Sequence, residues 1–230
     1  MINTLIPCSL KRLGAFAMAI SLLCGCALMT PANTAPPNLY SFDNASVTVK
    51  TDSAAMIKIR APTIIVSIPH AAAGFASHQI IYMRQPHKLE HFRQSEWVAT
   101  PAAMLAPLIT SALERSGQFS AVVQSPSSAL SQLRLDVEIV RLQQEFFNVP
   151  SRVHFTLRAY ILDTATRQVI AWREFDTIVP SNSEDPYGGV LAANSAVRAV
   201  VEELATFCVQ VAGNTQKNQD VSIDMTPMKK

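Results

Sequence analysis

Two runs of strict alternation restrict what this chain can fold into more than anything else in it. Leu133, Leu135, Val137 and Ile139 alternate with Arg134, Asp136 and Glu138. Val153, Phe155, Leu157, Ala159 and Ile161 alternate with Arg152, His154, Thr156, Arg158 and Tyr160. Successive side chains on a strand point to opposite faces, so each run is a strand with one dry and one wet face. In the first run the alternation slips after Val140, since Leu142 and Phe146 fall on the other parity, and this predicts a β-bulge. Asp163-Thr164-Ala165-Thr166-Arg167 reads as a hairpin turn, and Gln168 to Val179, containing Trp172 and Phe175, returns as a third strand. The three make an antiparallel meander whose dry face needs a cover.

Two helices supply it. After a loop from Ser181 to Gly189, Val190, Val197, Val201, Leu204, Cys208 and Val211 recur at helical spacing, with Asn194 as the polar member of the row. Earlier, Thr100 is a suitable N-cap, Pro101 suits the first helical position and Gly117 suits the C-cap. Between them Met104, Leu105, Leu108, Ile109, Ala112 and Leu113 form one apolar stripe, and Pro107 predicts a kink. Shorter strands are expected at Leu39 to Phe42, Ala45 to Lys50, Met56 to Ile68, Gln79 to Arg84 and Lys88 to Phe92, with Pro62 at a bulge or edge. The expected fold class is α+β, a single domain with a mostly antiparallel sheet and two packed helices.

The N-terminus has a different character. Lys11-Arg12 precedes an apolar run from Leu13 to Leu23, too short for the ~20 residues that span a bilayer, and Leu23-Cys24-Gly25-Cys26 ends it. That tetrapeptide resembles a bacterial lipobox, which makes Cys26 the lipidated first residue of the mature chain. An ordinary signal cut after Ala27 is the competing reading. The organisation expected is a signal over 1–25, a lipidated tether over 26–38, the domain over 39–212 and a disordered polar tail over 213–230. Twelve extended tether residues reach roughly 37 Å.

Charge and cysteine use narrow the function. Formal net charge is +2, and losing Lys11 and Arg12 with the signal leaves 17 basic against 17 acidic residues. No basic stretch marks a nucleic-acid partner. Of four cysteines, Cys8 and Cys24 leave with the signal, Cys26 takes lipid, and Cys208 sits in an apolar helical row as a small buried hydrophobe. No cofactor is expected beyond the covalent lipid. There is no G-x-S-x-G elbow, no C-x-x-C and no phosphate-binding G-x-x-x-x-G-K-[ST]. His87-Lys88-Leu89-Glu90-His91 matches H-x-x-E-H, which on a helix would give a zinc hydrolase with Glu90 as general base. Pro86 and Phe92 suit a strand instead, where His87 and His91 stand roughly 13 Å apart, so no metal is expected. Tyr82, Phe92 and Trp97 lie near Arg84 and Arg93, and aromatic–arginine chemistry makes Tyr82 and Arg84 the candidate partner contacts.

Several stretches together resemble the ABC-type transport auxiliary lipoprotein family over roughly residues 39–210. They are Ile80-Ile81-Tyr82-Met83-Arg84, His87-Lys88-Leu89-Glu90-His91-Phe92 with Trp97, and the helix from Met104-Leu105-Ala106-Pro107-Leu108 to Leu113-Glu114-Arg115-Ser116-Gly117. Gln143-Gln144-Glu145-Phe146, Arg158-Ala159, and Ser183-Glu184-Asp185 before Gly188-Gly189 complete the set. The resemblance implies a non-enzymatic, lipid-anchored protein on the periplasmic face of the outer membrane. It implies partners: an ABC permease, its ATPase and a mammalian-cell-entry-type periplasmic protein, together moving lipid, with a homo-oligomeric ring as a candidate assembly. Ala27 after the lipid cysteine suits outer-membrane delivery. A general envelope-assembly lipoprotein without lipid cargo is the alternative. Cys26→Ala is expected to abolish palmitate labelling and leave unprocessed or soluble protein; label surviving the substitution rejects the anchor.

Overall fold

The computed structural model describes residues 35–43 and 61–224, with side chains as far as residue 215. In chain order the elements are β1 (Asn38–Tyr40), β2 (Thr63–Val66), β3 (His70–Ala71), β4 (Gln79–Met83), β5 (Glu90–Trp97) and α1 (Pro101–Ser116). Then come β6 (Ala121–Gln124), β7 (Leu133–Glu145), β8 (Arg152–Asp163), β9 (Val169–Pro180) and α2 (Pro186–Asp224). The expected signal, most of the tether and the expected strand at 45–50 lie outside the described residues, as do 56–60.

The alternating runs form the long β7–β8 hairpin, antiparallel from Leu133↔Asp163 to Glu145↔Arg152, and β9 pairs antiparallel with β8. The predicted bulge is present. Ile139 faces Leu157 and Arg141 faces Thr156, so Val140 is the extra residue. The slip returns Leu142 to the dry face and keeps Arg141, Gln143 and Glu145 on the other.

The opposite edge of β7 is shared by three short strands laid end to end, all parallel to it: β2 at Ile64↔Leu133, β3 at His70↔Glu138 and β4 at Tyr82↔Gln144. One long strand is ruled out by Pro69, which has no N–H to give the ladder. Backbone bonds carry the pairing past the breaks, Ser67 N to Leu135 O at 2.9 Å and Ala72 N to Ile139 O at 2.8 Å. Outside these, β6 flanks β2 in parallel, β5 flanks β4 antiparallel, and β1 flanks β5 in parallel. The long ladders are antiparallel, as expected. The parallel joins of the short strands, and β6 itself, have no counterpart in the local sequence pattern.

Both helices cover the dry face. Thr100 Oγ1 accepts from Ala103 N at 3.4 Å, and Gly117, at φ 61°, closes α1 by donating to Glu114 O. The α1 helix continues across Pro107, whose exposed position leaves the unpaired carbonyl to water. Asp185 caps α2, its Oδ1 accepting from Gly188 N at 2.7 Å. Residues 213–224 are helical, where the sequence suggested that disorder begins at 213. Nothing in 213–224 is a proline, and lengthening a formed helix requires no new nucleus. Asn194, the polar member of the α2 row, accepts from Asp43 N and donates to Ser41 O at 3.3 Å, tying the chain after β1 to the helix.

The core lies between helices and sheet. Ile64, Leu105, Leu135, Ile139, Phe155, Leu157, Ala196, Leu204 and Cys208 are sealed from solvent within it. Burial pushes the Cys208 thiol up to about 12, so it stays protonated and inert. Leu204→Asp places a carboxylate in this apolar layer and should lower stability by several kcal/mol. An unchanged melting temperature would show that the α2 face is not seated on the sheet.

Candidate functional site

Among the described residues no helix lies over the second face of the meander. Several of its polar residues are paired across strands. Arg158 reaches Glu174 at 2.8 Å on β9 and Glu138 at 3.6 Å on β7. Near the bulge, His154 presents Nδ1 to Glu145 Oε1 at 3.1 Å and Nε2 to Asp176 Oδ1 at 2.9 Å, and the Arg141 guanidinium lies against the ring. A wet-face position suggests a solvated histidine; instead only 13% of its side chain is exposed. The two carboxylates occupy opposite ring nitrogens, so the three groups do not converge on one point. Among the described residues no cluster of His, Cys, Asp and Glu side chains is arranged to hold a metal.

Burial alone would raise the Glu145 carboxyl. Hydrogen bonds from Gln143, His154 and Arg152 outweigh it and hold the group below its ordinary value of 4.5. Asp176 behaves alike, burial opposing and Thr156 and His154 prevailing. A carboxyl lowered by folding contributes stability above its unfolded value and loses it as pH falls through the folded one. Glu145→Gln should therefore lower the melting temperature at neutral pH and flatten its fall below pH 4.5. Parallel acid-unfolding curves for the two proteins would show that Glu145 carries no such coupling.

A second region lies at the end of the sheet where β4 meets β5 and β7 meets β8. Tyr82 packs against Phe92, ring centroids 4.4 Å apart, and both meet Phe146 edge-on. Arg84 lies over the Tyr82 ring at 5.1 Å. Of the two candidate contacts, Tyr82 is thus half-buried in an aromatic cluster and Arg84 is exposed above it. His87 occupies a turn with φ 66°, while Glu90 and His91 are neighbours on β5 and point to opposite faces. The helix that zinc chemistry needs is therefore not formed. Glu90 instead pairs with Lys88 at 2.9 Å. Cys26 lies outside the described residues.

The structure also brings together two of the stretches that carried the family resemblance. Gln144 reaches across to the start of α2, its Nε2 donating to Ser151 Oγ at 3.0 Å and to Asp185 O at 3.4 Å. Glu184 Oε1 accepts from Ser151 N at 2.7 Å. A Cβ on Gly189 would stand 2.2 Å from Gln144 Oε1, and one on Gly188 would stand 2.3 Å from Ser183 O, which explains the glycine pair. Spacing of ~40 residues hides this contact from any local reading of sequence.

The family model for the ABC-type transport auxiliary lipoprotein component matches residues 41–205. The chain belongs to this family. Among solved structures it is similar to protein XCC0632 from Xanthomonas campestris, with 23% identity, a TM-score of 0.64, and coverage of 68% of this chain and 89% of that one. A crystal structure of an uncharacterized protein aligns at TM-score 0.58 and 11% identity over 76% of this chain and 99% of that one. At these identities the likeness extends to the fold. No curated protein matches the chain.

Proposed function

We propose that this auxiliary lipoprotein is a non-enzymatic accessory of a lipid-transporting ABC system. Its Cys26 carries lipid and holds it at the periplasmic face of the outer membrane, where it docks a mammalian-cell-entry-type periplasmic protein served by an ABC permease and ATPase. Family membership supports the transport setting. The observation that carries the docking role is the free flank of the meander.

Among the described residues β9 pairs only with β8, so its outer edge offers unpaired backbone donors and acceptors. That strand exposes Val169, Ile170, Trp172 and Ile178, with Trp172 62% exposed and stacked on Tyr160. An exposed tryptophan beside an open strand edge has the chemistry of a binding hot spot and of strand addition. Because Trp172 is outside the core, its removal should cost the fold little.

A photocrosslinking residue at position 172 in cells is expected to capture the mammalian-cell-entry protein, and Trp172→Ala to weaken its co-purification without changing the melting temperature. Crosslinks only to a second copy of the chain would assign this edge to a homo-oligomeric ring. Absence of any transport-system protein from adducts at 172 would reject the docking role.

A further inference from the structure

Two turns stand side by side at one end of the sheet, residues 84–89 after β4 and residues 146–151 after β7. They are joined where Phe146 N donates to Met83 O at 2.8 Å. Both project apolar side chains away from the core. Leu89 is 48% exposed, Phe147 39% and Val149 88%, with exposed Pro86 and Pro150 beside them. The Tyr82–Phe92–Phe146 cluster braces them from below. Residues 84–89 and 146–151 contain Arg84, His87 and Lys88 and no acid; the bordering Glu90 and Glu184 are engaged by Lys88 and by the Ser151 amide, and Arg84 stands exposed over the Tyr82 ring. Apolar tips flanked by basic groups match an interface of hydrocarbon and phosphate.

The chain direction agrees. Because β1 is parallel to β5, it runs away from these turns, and the tether joins β1 at the end that faces them. Asn38 aligns with Ser95, five residues along β5 from Glu90, or about 16 Å of strand. A tether reaching roughly 37 Å from Cys26 spans that distance with length to spare.

We propose that this end of the sheet rests on the phospholipid surface that carries the anchor, with Phe147 and Val149 inserted at the headgroup level and Arg84 against lipid phosphate. The proposal builds on the reading of Cys26 as lipidated. It adds an orientation: the turns face the membrane, and the opposite end of the sheet, with Leu130 93% exposed, faces away.

Tryptophan emission tests this in phosphatidylethanolamine–phosphatidylglycerol vesicles containing brominated lipid. Trp172→Phe removes the exposed tryptophan and leaves buried Trp97 as a constant background. On that background Phe147→Trp and Val149→Trp should shift to shorter wavelength and be quenched severalfold by the brominated lipid, while Leu130→Trp should do neither. Adding Arg84→Glu should reduce the quenching in vesicles with phosphatidylglycerol. The lipidated chain from cells is used first. If Cys26 proves unmodified, a chain made to begin at Cys26 and coupled through that thiol to a maleimide phospholipid gives the same tether, since Cys8 and Cys24 are then absent and buried Cys208 does not compete. Loss of natural lipidation then rejects the anchor alone. Anchored protein whose residues 147 and 149 remain in water rejects the orientation alone, as does capture of the mammalian-cell-entry protein at residue 147.

Discussion

Everything in this fold is registered on the two-sided pairing of β7. Its ladder with β8 is long enough to fix one dry face and one wet face by alternation, and a one-residue slip would exchange them. The bulge at Val140 absorbs the place where the sequence itself changes parity, so the two halves of β7 still contribute to the same core. With that face set, α1 and α2 have a surface on which their apolar rows fit, and β9 has a neighbour to extend.

What the sequence made legible was what is decided locally. Alternation places β7 and β8, and the capping chemistry of Thr100, Pro101 and Gly117 places α1. The meander turn and the bulge follow from the same short-range patterns. Parallel joins of β2, β3 and β4 to β7 were hidden because each is only two to five residues long and its register depends on a partner distant in sequence. Polar composition in 213–224 says little about whether an existing helix continues.

Site residues follow the same division. Arg84 is exposed at the end of β4, and the environment of Tyr82 depends on Phe146 from another hairpin. His154 stands on the wet face by parity, yet Glu145 and Asp176 from the flanking strands enclose it. Gln144 reads as one of several polar residues near the end of β7, and its seat against Gly189 appears only when the first turn of α2 is brought over it. In each case cross-strand or cross-layer proximity, rather than residue type, sets the role.

The division of one edge of β7 among three short strands bears on how such a chain tolerates change. Each strand is held by its own contacts with β7, so the links between them do not set register. Much of the link over residues 72–78 lies at the surface, with Ala73, Gly74, Ala76 and His78 exposed. Lengthening a surface loop adds a closure entropy that grows only logarithmically. Insertions and deletions there can accumulate between relatives while the core ladder stays in step, which leaves this flank free to diversify in length.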